Sequence, residues 1–220
     1  MPLMKPRQFF LAKRDDGTDA PPPDFENVVK AVISTFAVFV GFTINSYLNN
    51  TDIENFRSWR FWAFIALASL LLRYIIGSSV HLNHVYVKKI WAERPRSCSV
   101  LLLFKDVCFL VIFGMIAVHT AKAKTFNEFV DGTLWFVFAG FVWSVLDKFV
   151  RGIWKHWDTH EAPGQFVNHW ILLDLALVAI VLLVNCLTGH ELTRAMVVAG
   201  FYLLFLFFDF LAIVRATQFE

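Results

Sequence analysis

The chain has 220 residues, 57% apolar and 17% charged, with a mean hydropathy of +0.56, whereas a soluble domain carries about 25% charge. An ordinary soluble globule is therefore excluded, and with 10 Gly, 7 Pro and 3 Cys so are a collagen-like repeat, a disordered chain and a disulfide scaffold. A net charge of +2, from 20 Lys and Arg against 18 Asp and Glu, offers nucleic acid no basic surface. The composition is that of a membrane protein, and the lipid bilayer is the first partner it implies.

Residues 1–27 are polar and include Pro21, Pro22 and Pro23. They lack the apolar core and small-residue cleavage site of a removable signal peptide, so a flexible cytoplasmic tail is expected ahead of one domain over 28–220. A helix needs roughly 20 mostly apolar residues to cross a bilayer, and six segments qualify. Ala31 to Thr51 has no charge, and Phe61 to Val87 has only Arg73. Ser97 to Ala121 carries Lys105 and Asp106; Phe129 to Phe149 carries Asp131, Asp147 and Lys148. Ala162 to His190 contains Asp174, and Ala195 to Val214 contains Asp209. The fold class read from this is an all-α bundle of six transmembrane helices. Cys98, Cys108 and Cys186 are too far apart for a CxxC motif and read as small buried hydrophobes.

Orientation follows from Lys and Arg in the loops. With the N-terminus cytoplasmic, the inner segments (Lys5 to Arg14, Lys88 to Arg96, Lys148 to Lys155 and Arg215) hold twelve of them. The outer loops hold five: Arg57, Arg60, Lys122, Lys124 and Arg194. Both termini are then cytoplasmic, in a plasma membrane or a bacterial inner membrane. Trp59 and Trp62 fall at the outer boundary, and Trp91, Trp154, Trp157 and Trp170 at the inner one, where indole rings prefer to lie. Gly140 and Ser144, spaced by four, form a small-residue pair that lets helices approach closely.

The charges inside the spans share one depth although alternate helices run in opposite directions. His81, His84, Lys105, Asp106, Asp147, Asp174 and Asp209 fall roughly 6 to 12 Å from the inner boundary of a core about 30 Å thick. Four carboxylates facing lipid would cost on the order of 10 kcal/mol, so they must face inward. Arg73, Gly77, His81, His84 and Lys88 recur along one stripe of the second helix, leading from mid-membrane to the cytosol. Tyr202 shares a face with Asp209 seven residues later, placing a phenol on the route upward. Lys105 and Asp106 point about 100° apart on their helix and are not expected to share a seam; Lys105 and Asp147 are near enough the boundary to snorkel to headgroups.

His81 and His84 form HxxH, and His156 and His160 form HxxxH, the i, i+4 spacing that suits two ligands on one metal. His156 and His160 are therefore the candidate metal ligands, with a divalent ion as the only cofactor the sequence raises. Their segment, HWDTHE, also reads as an interfacial amphipathic extension of the fourth helix. Nucleotide-binding, hydrolase, potassium-filter and voltage-sensor motifs are absent.

The leading functional reading is a homo-oligomeric protein that conducts, transports or senses small cations or protons through an inward-facing polar cavity. Arg73 sets the mid-membrane field, Asp174 and Asp209 are the inner cation or proton sites, and His81 and His84 titrate near neutral pH. Two alternatives stand beside it. One is a membrane-anchored sensor or scaffold, its charged layer locking the bundle, that engages a soluble cytoplasmic protein through the basic inner loop Val87 to Ser99 and its tail. The other is a His-rich, metal-dependent enzyme acting on lipid or quinone.

Overall fold

The computed structural model describes residues 23–50, 55–83, 86, 96–153, 162–186 and 189–218. His84, His156, His160 and most of the expected tail lie outside these residues. The described chain is all helical, with no strands: α1 (Pro23–Asn50), α2 (Trp59–Leu82), α3 (Arg96–Ala121), α4 (Phe126–Ile153), α5 (Ala162–Cys186) and α6 (Glu191–Gln218). At 1.5 Å per residue, helices of 24 to 28 residues are about 36 to 42 Å long. All six are long and apolar enough to cross a membrane.

Local chemistry sets the helix starts. Pro23 opens α1, where its missing N–H and restricted φ suit a first helical position, so α1 takes in residues 23–27 that composition alone assigns to the tail. Ser58 caps α2 by accepting the Arg60 N–H at 3.2 Å. Thr125 caps α4: its Oγ1 accepts the Glu128 N–H at 3.2 Å while the Glu128 carboxylate accepts the Lys124 N–H at 2.8 Å, a variant of the capping box. Pro163 sits in the first turn of α5, where no backbone bond is lost. The fifth helix stops at Cys186, short of the expected His190, and the α-helix of α2 runs to Leu82, with Val87 outside the described residues.

The helices α1, α3, α4, α5 and α6 follow one another around α2. The most extensive contact is between α2 and α6, and α2 also touches α1, α3 and α4; Arg73 links it to α5. The apolar stretches of α2 and α4 are accordingly 50% and 56% buried, against 22% in α1 and 28% in both α5 and α6. Heptad-like spacing defines the buried faces: Ala195, Val198, Tyr202, Phe205 and Asp209 on α6, and Trp170, Asp174, Leu177, Val181 and Val184 on α5. The opposite faces expose Phe42, Phe104, Met115, Leu172 and Phe207. Charge inside and large apolar side chains outside invert the usual soluble pattern.

Two glycines permit the closest approaches. A Cβ at Gly77 of α2 would overlap the Trp170 indole, and one at Gly140 of α4 would overlap the Tyr74 hydroxyl. Trp170, expected at the inner interface, is thereby buried inside the bundle. It lies 6.1 Å from Tyr74 and 5.4 Å from Trp143, ring centre to ring centre. Cys108 is half-buried and Cys186 exposed, which corrects the expectation of a buried Cys186: it ends α5 on an outward face.

Candidate functional site

The buried charges gather around α2 in two groups. In the first, Arg73 reaches two helices at once. Its Nη1 donates to Asp174 Oδ1 of α5 at 2.7 Å, and its Nε donates to Asp209 Oδ2 of α6. The three side chains are 1% to 3% exposed. Tyr74, next to Arg73, donates from its hydroxyl to Asp174 Oδ1 at 3.4 Å, and its ring lies 5.4 Å from the guanidinium. His169, one turn before Asp174 on α5, places Nε2 at 3.4 Å from Asp209 Oδ1, with its side chain 36% exposed. It connects the triad to the outside of the bundle.

The second group lies eight residues along α2, about 12 Å. Asp106 of α3 is surrounded by donors: Trp143 Nε1 at 2.7 Å, the Tyr86 hydroxyl at 2.5 Å and Lys105 Nζ at 3.0 Å. Lys105 Nζ also lies 2.7 Å from Asp147 Oδ1 of α4 and 5.3 Å from the Trp143 ring. His81 Nε2 is 3.6 Å from Asp106 Oδ2, beyond hydrogen-bond distance. Its ring meets Trp143 edge to face at 4.8 Å.

In the first group Asp174 and Asp209 share one guanidinium, that of Arg73, with His169 at the edge; in the second Lys105 lies between Asp106 and Asp147, with His81 beside Asp106. With Asp174 and Asp209 both ionised and His169 neutral, the first group carries one surplus negative charge in a site removed from water. Burial makes that charge expensive unless a proton or cation joins it. Between the groups is a cavity of about 20 Å³ bordered by Tyr74, Ser78, His81, Asp106, Trp143 and Trp170, room for about one water. Tyr74 touches the first group, and His81 and Asp106 belong to the second.

Arg73, His81, Asp106, Asp147, Asp174 and Asp209 are all buried, as an inward-facing layer requires, and Lys105 is nearly so. The single layer separates into two levels because Arg73 selects Asp174 and Asp209 while Lys105 takes Asp106 and Asp147. Two expectations need correction. Lys105 and Asp106 do meet, because the four-carbon lysine stem bends across the 100° between their Cα directions. Neither Lys105 nor Asp147 runs to the surface, since each satisfies the other; Lys148 instead donates to Asn168 Oδ1 at 2.9 Å. Tyr202 is buried on the Asp209 stripe, yet among the described residues no hydrogen bond ties its hydroxyl to the triad. His84, His156 and His160 lie outside the described residues.

Sequence reasoning missed Tyr74, Tyr86, Trp143 and His169. A signal existed for Trp143: Gly140, Trp143, Ser144 and Asp147 occupy i, i+3, i+4 and i+7, one helical face, and all are buried. Tyr86 and His169 carried none, since their partners lie on other helices.

Fold and site together define an all-α, six-helix architecture, compatible with a multi-pass membrane protein, whose core holds two buried acidic groups bridged by Arg73 and Lys105. Compared with protein-family models, curated proteins and solved structures, the chain matches none.

Proposed function

We propose that this chain is inserted in a plasma or bacterial inner membrane with both termini cytoplasmic, and that as a homo-oligomer it moves or senses protons or small cations. The carrying observation is the Arg73 triad, in which two buried carboxylates, Asp174 and Asp209, share one guanidinium. A proton or small cation bound between Asp174 and Asp209 brings the triad to neutrality. Tyr74 and the one-water cavity then lead toward His81 and Asp106, two turns along α2. The twelve-to-five loop charge supports the orientation, and the outward Phe, Leu and Met side chains support lipid contact.

The smallness of that cavity favours a second reading. Where only about one water fits, neutralising a carboxylate changes how helices hold together more readily than it opens a passage. The protein would then sense ions and signal to a soluble cytoplasmic partner.

The test is flux of H⁺, Na⁺ and K⁺ into liposomes holding purified protein, with Asp209→Asn and Arg73→Gln beside wild type and monodispersity checked for each. Flux reduced at least about 10-fold in well-folded Asp209→Asn supports movement through the triad. Flux that is absent from wild type, or indifferent to both substitutions, refutes movement and leaves the sensor.

A further inference from the structure

We propose that His81, Asp106 and Asp147 form a binding site for a divalent first-row transition ion, which enters by displacing the Lys105 ammonium. Three helices, α2, α3 and α4, supply one imidazole nitrogen and two carboxylates, a donor set that suits Zn²⁺, Mn²⁺ or Co²⁺. One ligand atom from each residue lies within 4.8 Å of the other two, and all three residues are buried. A tetrahedral ion with bonds of about 2.0 to 2.2 Å spaces its ligands about 3.3 to 3.6 Å apart. The 3.6 Å between His81 Nε2 and Asp106 Oδ2 already meets this, and small carboxylate rotations bring in Asp147.

Two further observations point to a cation. His81 Nε2 is buried, makes no hydrogen bond and is aimed at Asp106, although a buried ring nitrogen without a partner is costly. The charges also suit exchange: a divalent ion in place of the Lys105 ammonium matches the two carboxylates that ammonium now touches. Lys105 is the one member of the four with a partly exposed side chain, 16% against 3% for each carboxylate. Its ammonium can withdraw along its stem. Trp143 and Tyr86 donate to Asp106 and hold its carboxylate in place, as outer partners of ligating carboxylates do. The site shares no residue with the Arg73 triad, and it stands whether or not flux is found.

The experiment titrates purified full-length protein with Co²⁺, followed by visible absorption, and measures bound Zn²⁺ by elemental analysis. One saturable ion per chain is expected. It is lost in His81→Phe and in Asp147→Asn, and kept when His156 and His160 are both changed to Ala. Lys105→Met removes the competing charge and is expected to tighten Co²⁺ binding about tenfold or more, a gain that misfolding does not produce. The proposal is overturned if neither wild type nor Lys105→Met binds saturably, or if Lys105→Met binds no tighter than wild type. Co²⁺ binding that persists unchanged in monodisperse His81→Phe overturns it equally.

Discussion

Replacing Arg73 by Met and Asp174 by Asn tests the charge balance of the triad directly, because the two changes move it in opposite directions. Arg73→Met leaves Asp174 and Asp209, 0% and 2% exposed, without their common cation. Breaking a buried pair by removing one partner costs about 3 to 5 kcal/mol, roughly two to four powers of ten in the folded-to-unfolded ratio. Asp174→Asn instead keeps an amide oxygen to accept the 2.7 Å bond from Arg73 and leaves Arg73 opposite Asp209 alone, one charge against one. Its expected effect is below about 1 kcal/mol, since the bond is retained and the surplus charge is gone. Adding Asp174→Asn and Asp209→Asn to Arg73→Met removes the stranded charges and should recover most of the loss. The assay is reversible unfolding of purified protein by SDS titration in mixed micelles, read by tryptophan fluorescence. Asp174→Asn as damaging as Arg73→Met would refute a surplus carboxylate in the triad.

Gly140→Ala drives a methyl into the Tyr74 hydroxyl and should destabilise by about 1 to 3 kcal/mol. Gly41→Ala, where no atom lies within 4 Å of the new Cβ, should be neutral or gain up to about 1 kcal/mol of helix propensity; thermal melts giving the reverse order would contradict the observed packing. Tyr86→Phe deletes a 2.5 Å donor to buried Asp106, and the loss of a hydrogen bond to a charged group should appear as about 1.5 to 3 kcal/mol in the same melts. Reporter fusions at both termini should read as cytoplasmic and one inserted after Lys124 as external; a cytoplasmic signal after Lys124 would overturn the orientation.

Much of the architecture was legible because the properties that produce it are local. Runs of apolar residues long enough to span a bilayer located all six helices, and the TFNE segment at Thr125 and the proline at residue 23 mark helix starts whose physics involves only near neighbours. At the end of α5 the helix stops at Cys186, just ahead of Gly189, a residue that commonly ends helices, and not at His190, the end expected from the apolar run. The cost of a carboxylate in an apolar surrounding was enough to direct Asp106, Asp147, Asp174 and Asp209 inward, and helical spacing put Arg73 and His81 on one stripe.

Partner choice was another matter. One-dimensional order says which face of a helix a charge occupies but not which helix is packed there. That Arg73 takes Asp174 and Asp209, and that Lys105 turns back to Asp106 and Asp147, depended on α2 lying at the centre of the ring. The notches at Gly77 and Gly140 admit Trp170 and Tyr74 to that centre. The same packing placed Trp143, Tyr86 and His169 around the carboxylates and left His81 Nε2 beside Asp106 without a hydrogen bond. That the charges are buried could be read from composition and helical period. How they are shared could not, because a contact across more than 100 residues, such as that of Arg73 with Asp174, is set by helix packing and not by spacing.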